Sequence, residues 1–96
     1  MVKIECITPI REDGKQYVIL FAEEPTVNNY DLWEGGKCLE FELDNVKQIT
    51  NVYKFHWSHG CHAGETLVKK FKENILGTSE MLKFAENFKW EAGDSK

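Results

Sequence analysis

The hydrophobic residues of this chain change period part-way along it, and that change limits the possible folds more than composition does. Over residues 38–43 they alternate. Leu39, Phe41 and Leu43 take one face and Glu40 and Glu42 the other, the pattern of a half-buried antiparallel strand. Toward the C-terminus they recur at helical spacing, as Leu67, Val68, Phe71 and Ile75 and then as Met81, Phe84, Ala85 and Phe88. A chain that switches in this way puts helices against one face of a sheet.

The other elements fit that frame. Residues 2–8 are rich in β-branched side chains and stop before Pro9, as a strand does. Glu12-Asp13-Gly14-Lys15 supplies turn chemistry, because Asp-Gly tolerates positive φ. Residues 16–22 contain Tyr17-Val18-Ile19-Leu20-Phe21, apolar on both faces, and predict a central strand paired with the first. Residues 23–37, with Pro25, Asn28, Asn29, Gly35 and Gly36, read as the longest irregular stretch. A fourth strand is expected over 48–57, where Ile49, Tyr53, Phe55 and Trp57 share parity. The later period predicts a helix over 67–75 that ends at Gly77, then a second helix capped by Thr78 or Ser79, with Trp90 near its end. The expected architecture is α+β: a four-stranded antiparallel sheet followed by two C-terminal helices packed on one face (β-β-β-β-α-α). It forms a single domain over 1–93, with a polar tail at 94–96 that frays.

Ninety-six residues make one domain, and a 42% hydrophobic content argues against disorder. No apolar run approaches the roughly 20 residues that span a bilayer, and Lys3 and Glu5 interrupt the first one, which predicts neither a membrane segment nor a signal peptide. Cys6, Cys38 and Cys61 are odd in number and far apart, the usage expected in a reducing cytoplasm.

Charge is uneven along the chain. Glu23, Glu24, Asp31, Glu34, Glu40, Glu42 and Asp44 stand against Lys37 alone. Such a belt repels phosphates, so direct nucleic-acid binding is not expected; the same field attracts proteins with basic surfaces. Tyr30, Leu32 and Trp33 lie within the belt, and rings inside a polar rim are typical of interaction surfaces. Tyr30, Trp33, Glu34, Glu40 and Glu42 are therefore the candidate partner-binding residues. If Phe84 and Trp90 are surplus to the core, the helices offer a homodimer contact instead.

The most chemically concentrated segment is His56-Trp57-Ser58-His59-Gly60-Cys61-His62, which holds all three histidines. Imidazole and thiolate are zinc ligands, and the spacings His56-x2-His59 and His59-x2-His62 suit ligand pairs. The candidate set is His56, His59 and either Cys61 or His62, completed by Cys38, a carboxylate or water. Zinc is the cofactor this reading implies; the other readings need none. Cys61 at the start of the expected helix would also have an activated thiol, although no histidine from another element stands by as a base.

Strand, loop and helix in that order also gather backbone N–H groups around an anion. Over 59–64 the loop resembles the pyrophosphate-binding turn of the GNAT acetyltransferases, with His59 in the first place, His62 in place of the middle glycine and Gly64 in the last. That resemblance implies acyl- or phosphate-binding at this loop.

No triad, P-loop or complete metal motif is present, which favours a binding module over an enzyme. The expected function is that of a small acidic binding protein acting through protein–protein contact. One concrete form is an inhibitor of a nucleic-acid-binding enzyme, of the kind phages and mobile elements carry. A metal-binding protein using His56 to His62 and an acetyltransferase-like protein are the alternatives.

Overall fold

The computed structural model describes residues 2–71 and 78–91. It contains β1 (Lys3–Ile7), β2 (Gln16–Glu23), β3 (Thr26–Val27), β4 (Trp33–Leu43), β5 (Ile49–Ser58), β6 (Cys61–Lys70) and α1 (Thr78–Asn87). The sheet is antiparallel throughout, ordered β1-β2-β4-β5-β6, with β3 paired to the start of β4. Among the described residues the fold is thus a meander of six strands with one short helix. It is not the four strands and two C-terminal helices expected from the sequence.

The meander is built from tight turns. Those at 11–15, 28–32 and 44–48 share one form: the fourth residue donates its N–H to the first carbonyl, and the first donates to the fifth. Asn28 and Asp44 reinforce two of them, each side chain accepting two backbone N–H groups of its own turn. Between β5 and β6 the turn is His59-Gly60, with φ of 49° and 77°. Positive φ at both central residues is a type I′ hairpin, whose twist matches that of its strands.

The sequence reading fails at three places, each for a physical reason. Residues 61–70 form an edge strand, not the start of a helix. Its side chains are mostly exposed, and bulges against β5 shift its pairing twice, so no two-residue period survives to be read. Ile75 and Gly77, which completed the helical pattern, lie outside the described residues, as does the tail at 94–96. The stretch at 23–37 is not irregular throughout, because β3 and the first turns of pairing along β4 fall within it. Ile49 does not share a face with Tyr53 and Phe55: a register shift between Glu42 and Leu43 moves it to the other side.

The two faces of the sheet differ. One carries Val18, Leu20, Leu39, Phe41, Leu43, Ile49 and Val52, and α1 sets Met81 and Ala85 against them. Full burial of a Leu or Phe contributes about 1.5–3 kcal/mol, so this is the main core. The other face has a smaller buried cluster, Ile19, Cys38 and Phe55, edged by Phe21 and Trp57. No second layer of described elements covers it. Gly36 (φ 84°) lets β4 pass the end of β2, since a Cβ there would stand 2.9 Å from the Pro25 nitrogen.

Candidate functional site

Alternation along β4 sends Glu40 and Glu42 to the open face, and their surroundings there are different. The Glu42 side chain is 10% exposed. It accepts hydrogen bonds from Thr50 Oγ1 (2.8 Å), Asn51 Nδ2 (3.1 Å) and the Tyr17 hydroxyl (3.4 Å), and Lys15 Nζ stands at 3.7 Å. It is a carboxylate whose charge is fully answered. Glu40, 14% exposed, receives no hydrogen bond from the described residues. The His62 imidazole is beside it, with Nδ1 3.8 Å from Oε2. Burial pushes the Glu40 carboxyl above its ordinary range, the Glu65 charge adds to the rise, and His62 opposes it.

Strand geometry alone would not put His62 and Glu65 together. Residues three apart on a regular strand face opposite ways. Here Gly64 takes φ of 62°, and the pairing slips between Lys54 and His56, so β6 bulges by one residue. The bulge turns Glu65 back to the side of His62, and Oε2 lies 3.5 Å from Nδ1. Glycine suits the position, because its φ of 62° strains other side chains and a Cβ there would crowd the His56 ring at 3.0 Å. The His62 ring is held by Phe55, stacked at 3.9 Å and 18°, and by the edge of Trp57 at 4.7 Å.

A second bulge serves the same face from the other edge. The β1–β2 register shifts between Ile4 and Cys6, and Glu5 is the extra residue. Its Oε2 is sealed from solvent without a hydrogen-bond partner. Burial raises its pKa while the His62 charge lowers it, so groups on the two edge strands meet electrostatically across the face. Beneath them, burial and the Glu5 charge push the Cys38 thiol up to about 12, with the Trp57 side chain opposing that rise. Cys38 is therefore inert as a nucleophile.

One grouping of metal donors emerges among the described residues: Glu40, His62 and Glu65, with ligand atoms all within 4.8 Å of one another. Of the sequence candidates for metal, His62 alone belongs to it. His56 pairs with Ala63 and faces the opposite side of the sheet, packed against Gly64. His59 sits in the turn, and Cys61 is exposed beside it. The strand–loop–helix order behind the anion-binding and acetyltransferase-like readings, and behind an activated Cys61, is replaced by a two-residue turn between strands. The sequence reading misses Glu65 and takes Gly64 only as the last residue of an anion-binding turn. The available signal was a glycine inside a strand, which marks a bulge only once the segment is known to be a strand.

The expected partner-binding residues divide between two places. Tyr30, Trp33 and Glu34 are at the end of the β3–β4 hairpin, while Glu40 and Glu42 lie inside the open face. At the hairpin end Tyr30 is 78% and Trp33 44% exposed, with Val27 and Leu32 also exposed. The end is braced. Glu34 Oε1 accepts from Asn28 Nδ2 and from the His59 backbone N–H, each at 3.1 Å, and lies 3.2 Å from His59 Nδ1. These hydrogen bonds hold the Glu34 carboxyl below its ordinary range. The Gly60 N–H donates to the Trp33 carbonyl (3.0 Å), and Leu32 packs on Gly60. Trp33 also approaches Trp57, with centroids 6.5 Å apart.

No protein family, curated protein or solved structure matches this chain. No helix among the described residues is long and apolar enough to cross a membrane.

Proposed function

We propose that this chain is a binding module that docks the end of its β3–β4 hairpin on another protein, one that offers an apolar pocket beside a basic surface. The observation that carries this reading is the display of Tyr30 and Trp33 on a braced hairpin. Exposed rings lose water favourably on contact, and a loop already held in shape pays little ordering entropy when it binds. Asp31 and Glu34, with Glu23 and Glu24, whose charges Lys37 and Lys3 answer in part, are close by in the chain and supply a negative rim, suited to a positively charged partner.

A partner of that charge is the kind that handles nucleic acid, and the concrete form of the proposal is an inhibitor that occupies such a partner's polyanion-binding surface. The full tagged chain serves as bait in extract of its host, beside a Tyr30→Ala/Trp33→Ala variant. The expected result is a partner recovered with the parent chain and reduced at least tenfold with the variant, although both melt at the same temperature. Added DNA should compete for that partner. Equal recovery by the two baits excludes the hairpin end as the contact. Recovery indifferent to DNA removes the inhibitor form and leaves the docking surface standing.

A further inference from the structure

We propose that Glu40, His62 and Glu65 bind one divalent first-row transition-metal ion, on a site independent of the hairpin end. Three observations converge on it. The donor atoms are one imidazole nitrogen and two carboxylate oxygens, drawn from β4 and β6 and mutually within 4.8 Å. Ligands about 2.1 Å from a tetrahedral ion stand about 3.4 Å apart. The His62–Glu65 and His62–Glu40 separations, 3.5 and 3.8 Å, are close to that edge. The remaining closure falls to Glu65, whose side chain is 45% exposed and free to turn.

The second observation is the contrast within β4. Glu42 is satisfied by neutral donors and Lys15, whereas Glu40 receives no hydrogen bond from the described residues and feels the Glu65 and Glu42 carboxylates against the His62 imidazole and the weaker influence of Arg11. A dication supplies the missing positive charge. The third is the backbone. Both edge strands bulge, one at Gly64 to turn Glu65 toward His62 and one at Glu5, whose Oε2 is sealed from solvent. Bulges that re-aim side chains are a feature of functional sites. With Phe55 and Trp57 fixing the ring, His62 is a ligand already oriented.

The donor set selects the ion. An imidazole with carboxylates and no thiolate suits Zn²⁺ or Mn²⁺, while Ca²⁺ and Mg²⁺ prefer all-oxygen shells. Three protein ligands leave a coordination position for water or a bound anion.

The test is calorimetric titration of the chelator-stripped full chain with Zn²⁺ and, separately, Mn²⁺, Mg²⁺ and Ca²⁺. The expected result is one Zn²⁺ per chain, with affinity at least tenfold above that for Mg²⁺ or Ca²⁺. Glu40→Gln, His62→Gln and Glu65→Gln should each weaken it at least tenfold, and His56→Gln and His59→Gln should leave it within twofold. Glu65 is on an exposed edge strand, so its variant folds even if His62→Gln does not. Co²⁺ in place of Zn²⁺ should give visible d–d bands without a thiolate charge-transfer band. Absence of one-to-one binding overturns the proposal. So does affinity that survives Glu65→Gln and Glu40→Gln, or that depends on His59, or a thiolate band that brings in Cys61.

Discussion

The two faces of this sheet are made from the same strands and follow opposite rules. Under α1, Leu20, Leu39, Phe41 and Val52 are buried among apolar neighbours and stabilise the fold by leaving water. On the open face, burial is applied to Glu5, Glu40 and Glu42 beside the rings of Phe55, Trp57 and His62. Burying a carboxylate costs free energy unless its charge is met. At Glu42 it is met by hydrogen bonds and Lys15; at Glu40 no hydrogen bond from the described residues meets it, and His62 and Arg11 offset it only in part. The contrast separates a face built on apolar burial from one that buries carboxylates beside a smaller apolar cluster.

The largest expected effect tests the first half of that contrast. Phe41→Ala removes a fully buried ring that meets Phe84 edge-on at 5.8 Å. It should cost about 3–5 kcal/mol in urea unfolding, enough to unfold much of a domain this small. A loss under 1 kcal/mol would mean that α1 and the sheet are not packed as described.

The next effect sharpens the contrast within the open face. Glu42→Ala leaves Asn51 Nδ2 and the Tyr17 hydroxyl without their acceptor, reduces Thr50 Oγ1 to its 3.2 Å contact with the residue 42 carbonyl, and should cost about 1–3 kcal/mol. Glu40→Gln, two residues along the same strand, should be neutral or stabilising in metal-free buffer, within about 1 kcal/mol of the parent chain. It removes a buried charge that no hydrogen bond answers and that Glu65 repels. Similar losses from both substitutions would show that Glu40, like Glu42, is there to hold strands together.

What could be read from the sequence follows the same division. The alternation of Leu39, Phe41 and Leu43 and the stripe of Met81, Phe84, Ala85 and Phe88 were legible because burial under a single apolar layer writes a period into the chain. The edge strand β6 was not. Solvent on its outer flank and two bulges erased the period, and Leu67, Val68 and Phe71 then mimicked a helical face. The candidate site suffered for the same reason. His62 was conspicuous among its neighbouring histidines, but its companions came from β4 and from beyond the Gly64 bulge. Proximity in sequence pointed to His56 and His59, which a strand and a two-residue turn carry elsewhere.

The smallest effect concerns a third carboxylate, Glu34, which braces the hairpin end. Its charged form accepts from Asn28 and from the His59 N–H, so its pKa is lower in the folded chain than in the unfolded one. The sign follows from proton counting. Between the two pKa values the unfolded state binds more protons, so the stabilisation is complete above the unfolded value and is lost as pH falls through the folded one. Glu34 is at the surface, so the loss should be local. Amide exchange at His59 and Leu32, corrected for intrinsic rates, should quicken as Glu34 protonates, and Glu34→Gln should produce the same change at neutral pH. Amides of β4 between Leu39 and Leu43 should not respond to that substitution. If they do, the brace belongs to the core, and the hairpin end is not the separately held display that docking requires.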